Sequence, residues 1–180
     1  MMKQALLIAL LFTVYPTHIF GNIQEQPSRL QATAAALVIQ SLQLGEKSQQ
    51  LFRIKDGLLE KLKAKEGNLG LHEDFIVDAA TELKYIATVA YFEGNLLGAV
   101  LAIKEEFKLQ YINNRLLELD NVVKNTMSSL KPIQIASSTT KDKFTLKQIE
   151  MSIKATQSLI EMYKNSIDIL QKMLVNNTEK

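Results

Sequence analysis

Glu93 is the side chain best placed to do chemistry. It is the one charge in Tyr85 to Ile103 (YIATVAYFEGNLLGAVLAI), a stretch fenced by Lys84 and Lys104. A carboxylate in apolar surroundings must find a partner or hold its proton more tightly than usual. At helical spacing Glu93 continues inward from Ile86 and Ala90, and Asn95, Tyr91 and Tyr85 are neighbouring hydrogen-bond donors. Glu93, Asn95, Tyr85 and Tyr91 together make a candidate small-ligand or proton site. The plainer reading has Glu93 at the edge of the apolar stripe, reaching water.

Other chemistry is poorly provided for. The chain has no Cys, which removes disulfides, thiolate metal sites and cysteine nucleophiles. Of the two His, His18 lies in the N-terminal leader, and His72 has Leu69 and Asn68 where a Glu-x-x-His di-iron motif needs Glu. Ser128-Ser129 and Ser137-Ser138 therefore lack a His base other than His72, and no nucleophile elbow, phosphate loop, dinucleotide fingerprint or zinc-protease motif occurs. Glu105-Glu106 and Glu118-x-Asp120 read as solvated charge on a helix face. Asn176-Asn177-Thr178 is a glycosylation sequon, meaningful in a eukaryotic host. The expectation is a protein that is not an enzyme and takes no metal or cofactor.

Within the same central stretch Ala90, Gly94, Gly98 and Ala102 recur every four residues. Such a stripe lets another helix backbone come close, in membranes and outside them. One reading inserts 85–103 into a membrane. Against it, an acid at mid-bilayer costs about 2.5–3.5 kcal/mol. The favoured reading is a bundle's central helix, apolar all round because it is covered all round.

The elements that would position these residues are helices. Ser28 and Gln31 fit a capping box, and Leu then recurs at 30, 37, 44, 51 and 58, widened by Ile54, Leu59 and Leu62. Ser41, Ser48 and Lys55 at the companion positions argue against a two-stranded zipper and for packing within the chain. Gly67-Asn68-Leu69-Gly70 ends this helix. Ile76, Ala79, Leu83, Ile86 and Ala90 begin the next stripe, and Ile112, Leu116, Leu119, Val123, Thr126 and Leu130 continue it. That predicts one very long helix, or two nearly collinear ones meeting near Glu93-Gly94-Asn95. Lys131-Pro132 should stop it, because the residue before Pro is pushed out of helical geometry. Residues 132–142 then form an extended linker. Leu146, Ile149, Ile153, Thr156, Ile160, Tyr163, Ile167, Leu170 and Leu174 give the last helix the clearest pattern, with Leu159, Met162, Ile169 and Met173 as a second stripe. Two stripes imply two packing neighbours.

The bulk numbers agree. With 180 residues, seven Gly and three Pro, the chain forms one domain and lacks the turn signals of a sandwich or barrel. Lys3, the apolar run Ala5 to Tyr15 and small Gly21 follow the plan of a secretory signal peptide, residues 1–21, too short for a comfortable membrane span. A short lead, 22–28, precedes the single helical domain at 29–180, with helices near 29–66, 72–130 and 142–175. Net charge is +2 overall, close to balance, which argues against nucleic acid as a partner.

The expected fold is all-α, an elongated antiparallel bundle of three long helices, or four if the middle one breaks near 93–95. The expected function is that of an exported, periplasmic or extracellular module that binds another protein or itself. The alternatives are a small-ligand sensor and a membrane-interacting bundle. A leader followed by long antiparallel helices, opening on Arg29-Leu30 and a Gln/Ala-rich helix, resembles helical periplasmic sensor modules of the nitrate-sensing and pilus-chemoreceptor type. The Gln-Arg-Met-Leu-Ser-Gln signature of that group is absent, so no binding site is carried over. The layout is also similar to small exported helical subunits of conjugation-type secretion systems.

Overall fold

A computed structural model of the chain describes residues 29–63 and 72–178, and these are helical nearly throughout. Four α-helices pack together: α1 (Arg29–Lys63), α2 (His72–Ala99), α3 (Glu105–Thr139) and α4 (Lys143–Thr178). The expected leader 1–21, the lead 22–28 with Ser28, and the expected helix stop at Gly67–Gly70 lie outside the described residues. At 35 residues each, α1 and α3 are about 52 Å long, so the bundle is elongated.

Hydrogen bonds fix the topology. Ser41 on α1 bonds Gly94 on α2, and Ser48 bonds Ala87, so seven residues forward on one helix are seven back on the other. Tyr111 meets Leu96 and Arg115 meets Glu93, which sets α3 antiparallel to α2. Gln40 on α1 donates to the Met162 carbonyl on α4 and closes the ring. Helix α4 lies between α1 and α3, as its two stripes require. The core is the heptad set Leu37, Leu44, Leu51 and Leu58 facing Ala79, Leu83, Ile86 and Ala90, with Ile112, Leu119, Ile149, Leu159 and Leu170.

Two expectations need correction. The middle segment is not one helix or a collinear pair. It folds back on itself, and the break lies at 100–104, beyond Glu93-Gly94-Asn95. A short 3-10 turn, Val100–Ala102, is followed by extended Ile103. The turn leaves the last carbonyls of α2 short of donors, and the Tyr111 hydroxyl donates to that of Leu96 at 3.1 Å. Glu105 and Glu106 occupy the first turn of α3, where the helix dipole favours acids.

Pro132, the second case, sits inside α3 and does not end it, so the expected linker 132–142 shrinks to 140–142. An interior Pro costs about 3 kcal/mol. The turn it would forfeit buries Ile133 and Ala136 completely, and one buried Ile returns about 1.5–3 kcal/mol. The carbonyl that loses its donor belongs to Ser128, an exposed residue. Asp142 then caps α4 by accepting from the Thr145 backbone N–H (2.8 Å) and hydroxyl (2.6 Å).

Candidate functional site

The α2–α3 reversal places Glu93 beside Arg115, and both are buried. One guanidinium nitrogen of Arg115 donates to Glu93 and another to Glu118, which is exposed. Arg115 thus links an interior carboxylate to one at the surface. The ion pairs Lys108–Glu105, Lys124–Asp120 and Lys164–Glu161 stay within single helices, whereas Glu93–Arg115 joins two. Taking two charges out of water offsets most of their attraction. Removing one partner alone strands the other, and this is the costly change.

Helices α4 and α1 contribute to the same layer. Tyr163 is fully buried and its hydroxyl has no hydrogen-bond partner. Burial pushes its pKa far up, the negative Glu93 pushes it further, and Tyr85 adds a smaller increment. The Met162 carbonyl next to it accepts from Gln40 of α1 and from the Ser166 hydroxyl at 2.9 Å. All four helices therefore place a polar group in one cross-section of the core.

The four residues read as a ligand site do not converge. Glu93 points inward to Arg115, while Tyr85, Tyr91 and Asn95 lie exposed on α2. Tyr91 instead pairs edge-on with exposed Phe92, ring centres 5.7 Å apart. The packing stripe is set against α1 for most of its length. A Cβ on Gly94 would lie 2.9 Å from the Ser41 carbonyl oxygen, and one on Gly98 would lie 3.1 Å from the Ser41 hydroxyl. Ala90 is fully buried, and Ala102 is exposed in the 3-10 turn. Ser41 and Ser48 each donate to an α2 carbonyl at 2.6 Å, which explains small polar residues at positions a zipper would fill with Ile or Val.

Sequence reasoning missed Arg115, Tyr163, Gln40 and the two serines as site-forming residues. For Arg115 a signal existed: it stands between Ile112 and Leu119 on the α3 stripe, a charge on an apolar face as Glu93 is on α2. Between α1 and α4, Gln43, Glu46, Lys47, Gln50, Ser158 and Met162 line an open polar groove of about 380 Å³. Among the described residues no group of three or more His, Asp or Glu is arranged to hold a metal ion. No known family, curated protein or solved structure matches the chain.

Proposed function

We propose that the protein is an exported, non-enzymatic helical bundle that works by binding another protein or a second copy of itself. The observation that carries this reading is the exposed aromatic group on α2. Tyr85, Tyr91 and Phe92 are about half exposed on a helix whose inner face is fully packed. Rigid aromatic side chains of this kind are enriched where proteins meet. Gln40, Ser41, Ser48, Glu93 and Arg115 of the interior, in contrast, are engaged in holding helices together. Export rests on the leader alone, with Lys3, Ala5 to Tyr15 and Gly21.

A second reading, a bundle that inserts 85–103 into a membrane, has one observation in its favour. Asp74–Ala102 is long and apolar enough to cross a bilayer by length and composition, with 39% of its most apolar window buried in the bundle. The small-ligand sensor reading gains nothing comparable, since Glu93 is taken up by Arg115 and its expected neighbours face outward.

Purifying the tagged protein from the exported fraction, with Tyr91→Glu/Phe92→Asp in parallel, tests the proposal. The account expects a bound protein or a second copy with the native chain and its loss with the variant. A monomer with nothing bound, or recovery of lipid alone, contradicts it. Absence of the protein from the exported fraction contradicts the leader's role.

A further inference from the structure

Charge is divided across the end of the bundle where α3 turns into α4. Residues 141–154 carry Lys141, Lys143, Lys147 and Lys154 against Asp142 and Glu150. The last turn of α1 adds Lys61 and Lys63 against Glu60, and the Lys61 ammonium lies over the Phe144 ring of α4 at 4.4 Å. All six lysines are exposed. Among the described residues none of them is in an ion pair, whereas Lys55, Lys108, Lys124 and Lys164 each are. Asp142 is taken up in the α4 cap. On α2, which lies across the bundle from α4, residues 74–83 carry Asp74, Asp78 and Glu82 and no base. The Ser48–Ala87 bond and antiparallel course set Asp74 level with Lys61. This end is therefore basic on α1 and α4 and acidic on α2.

We infer that this α1–α4 end docks the protein on the surface of an anionic phospholipid bilayer. A cluster of about six bases on a helical surface is of the size that holds a protein to anionic lipid. Lys143 and Lys147 begin α4, where the helix dipole favours acids, as Glu105 and Glu106 in the first turn of α3 illustrate. Helix stability thus does not account for the lysines. An acidic protein fits the patch less well, because protein interfaces are enriched in Arg and depleted in Lys. Neither 60–63 nor 141–154 holds an Arg. Phe144 and Met151, 46% and 40% exposed, share one ridge of α4 with Lys147 and Lys154 at helical spacing. An aromatic ring beneath an ammonium suits the headgroup level, where the ring is half in lipid and the cation meets phosphate.

The acids of α2 are repelled by the same surface, so docking has one orientation, with α4 towards lipid and α2 away from it. Lys143 to Lys154 spans about 16 Å. Screening acts over about 8 Å at physiological salt, so the charges along the contact decide the binding and the near-balanced total does not. Tyr91 and Phe92 on α2 are left facing away from the bilayer. The inference goes beyond the protein-binding reading and does not depend on it, since the two use opposite sides of the bundle.

Vesicle flotation of the protein as the cell produces it tests the inference. At about 0.1 M salt it should float with vesicles of equal parts phosphatidylglycerol and phosphatidylcholine, and stay behind with phosphatidylcholine alone. It should come off the anionic vesicles in about 1 M salt, where screening acts over about 3 Å. Lys143→Glu/Lys147→Glu should weaken binding by roughly 30-fold or more. Its melting point should be unchanged or raised, because acids suit the start of a helix. Lys164→Glu/Lys172→Glu makes the same charge change lower on α4 and should float like the native chain, as should Tyr91→Glu/Phe92→Asp. No flotation with the anionic vesicles, equal flotation with phosphatidylcholine, or equal loss in the two lysine variants overturns the inference. So does loss with Tyr91→Glu/Phe92→Asp alone, which would put α2 into the membrane. Capture of an acidic protein or nucleic acid through these lysines, by a chain that ignores the anionic vesicles, overturns it as well. Each of these outcomes except the loss at Tyr91 and Phe92 leaves the protein-binding reading standing, since that reading is tested on α2.

Discussion

The two seams that α2 makes are built on opposite principles. Against α1 it presents Ala87, Ala90, Gly94 and Gly98, and two serines reach across to its carbonyls. That seam is neutral and so close that Gly94 has no room for a side chain. Against α3 it presents Glu93 to Arg115 and the Leu96 carbonyl to Tyr111. This seam depends on one charged contact and one long phenol. The neutral seam gains its cohesion from closeness, summed over many small contacts. The charged seam sets register, because a buried carboxylate tolerates only the alignment that pairs it.

The contrast breaks most sharply at Arg115. Arg115→Leu leaves Glu93 buried and unpaired and should cost about 3–5 kcal/mol in denaturant unfolding. Glu93→Leu/Arg115→Leu should recover most of that loss. Equal destabilisation of the single and double variants would mean that the pair is not what the layer depends on. On the neutral seam, Gly94→Val drives side-chain atoms into the Ser41 carbonyl and should cost about 1–3 kcal/mol. An unchanged midpoint would show the seam to be looser than described.

Tyr163 sharpens the difference through pH. Its folded pKa lies above the ordinary value of 10.0. The group's stabilising effect is therefore full below pH 10 and is lost as pH rises further, because the unfolded chain ionises first. Unfolding free energy should fall by about 1.4 kcal/mol per pH unit above pH 10 from this residue. Tyr163→Phe should flatten that part of the profile, and an identical alkaline slope in the variant would place the effect elsewhere. The smallest effect is expected at Gly57 on α1, where nothing lies within 4 Å of an added Cβ. Gly57→Ala should stabilise by about 0.5–1 kcal/mol. A loss on the scale of Gly94→Val would erase the distinction between the close seam and a position with open space around it.

The stripes of α1 and α4 were legible in the sequence because burial repeats with the helix period, and Leu37, Leu44, Leu51 and Leu58 or Ile149, Tyr163 and Leu170 stand where the period puts them. The course of α3 past Pro132 was legible in principle. Ile112, Leu119, Thr126 and Ile133 keep a spacing of seven across the proline, and a local rule about the residue before Pro outweighed that longer pattern. The reversal at 100–104 had less to announce it, since Leu96 to Ile103 is apolar apart from Gly98 and holds no Pro or Asn. The acids at 105 and 106 were the available sign, marking a new helix start. Glu93 stood out as a lone acid in an apolar run, but its partner is set by where the chain turns. With the turn misplaced, Arg115 could not be matched to it, and nearby tyrosines were grouped with Glu93 by sequence alone.

The central claim is that the Glu93–Arg115 pair is scaffold and that the exposed aromatic group on α2 is the proposed binding surface. Sedimentation of two double variants side by side tests it most directly. Glu93→Leu/Arg115→Leu should keep its bound protein or second copy like the native chain, and Tyr91→Glu/Phe92→Asp should lose it while equally folded. Loss of association in the first variant with its retention in the second would contradict the account.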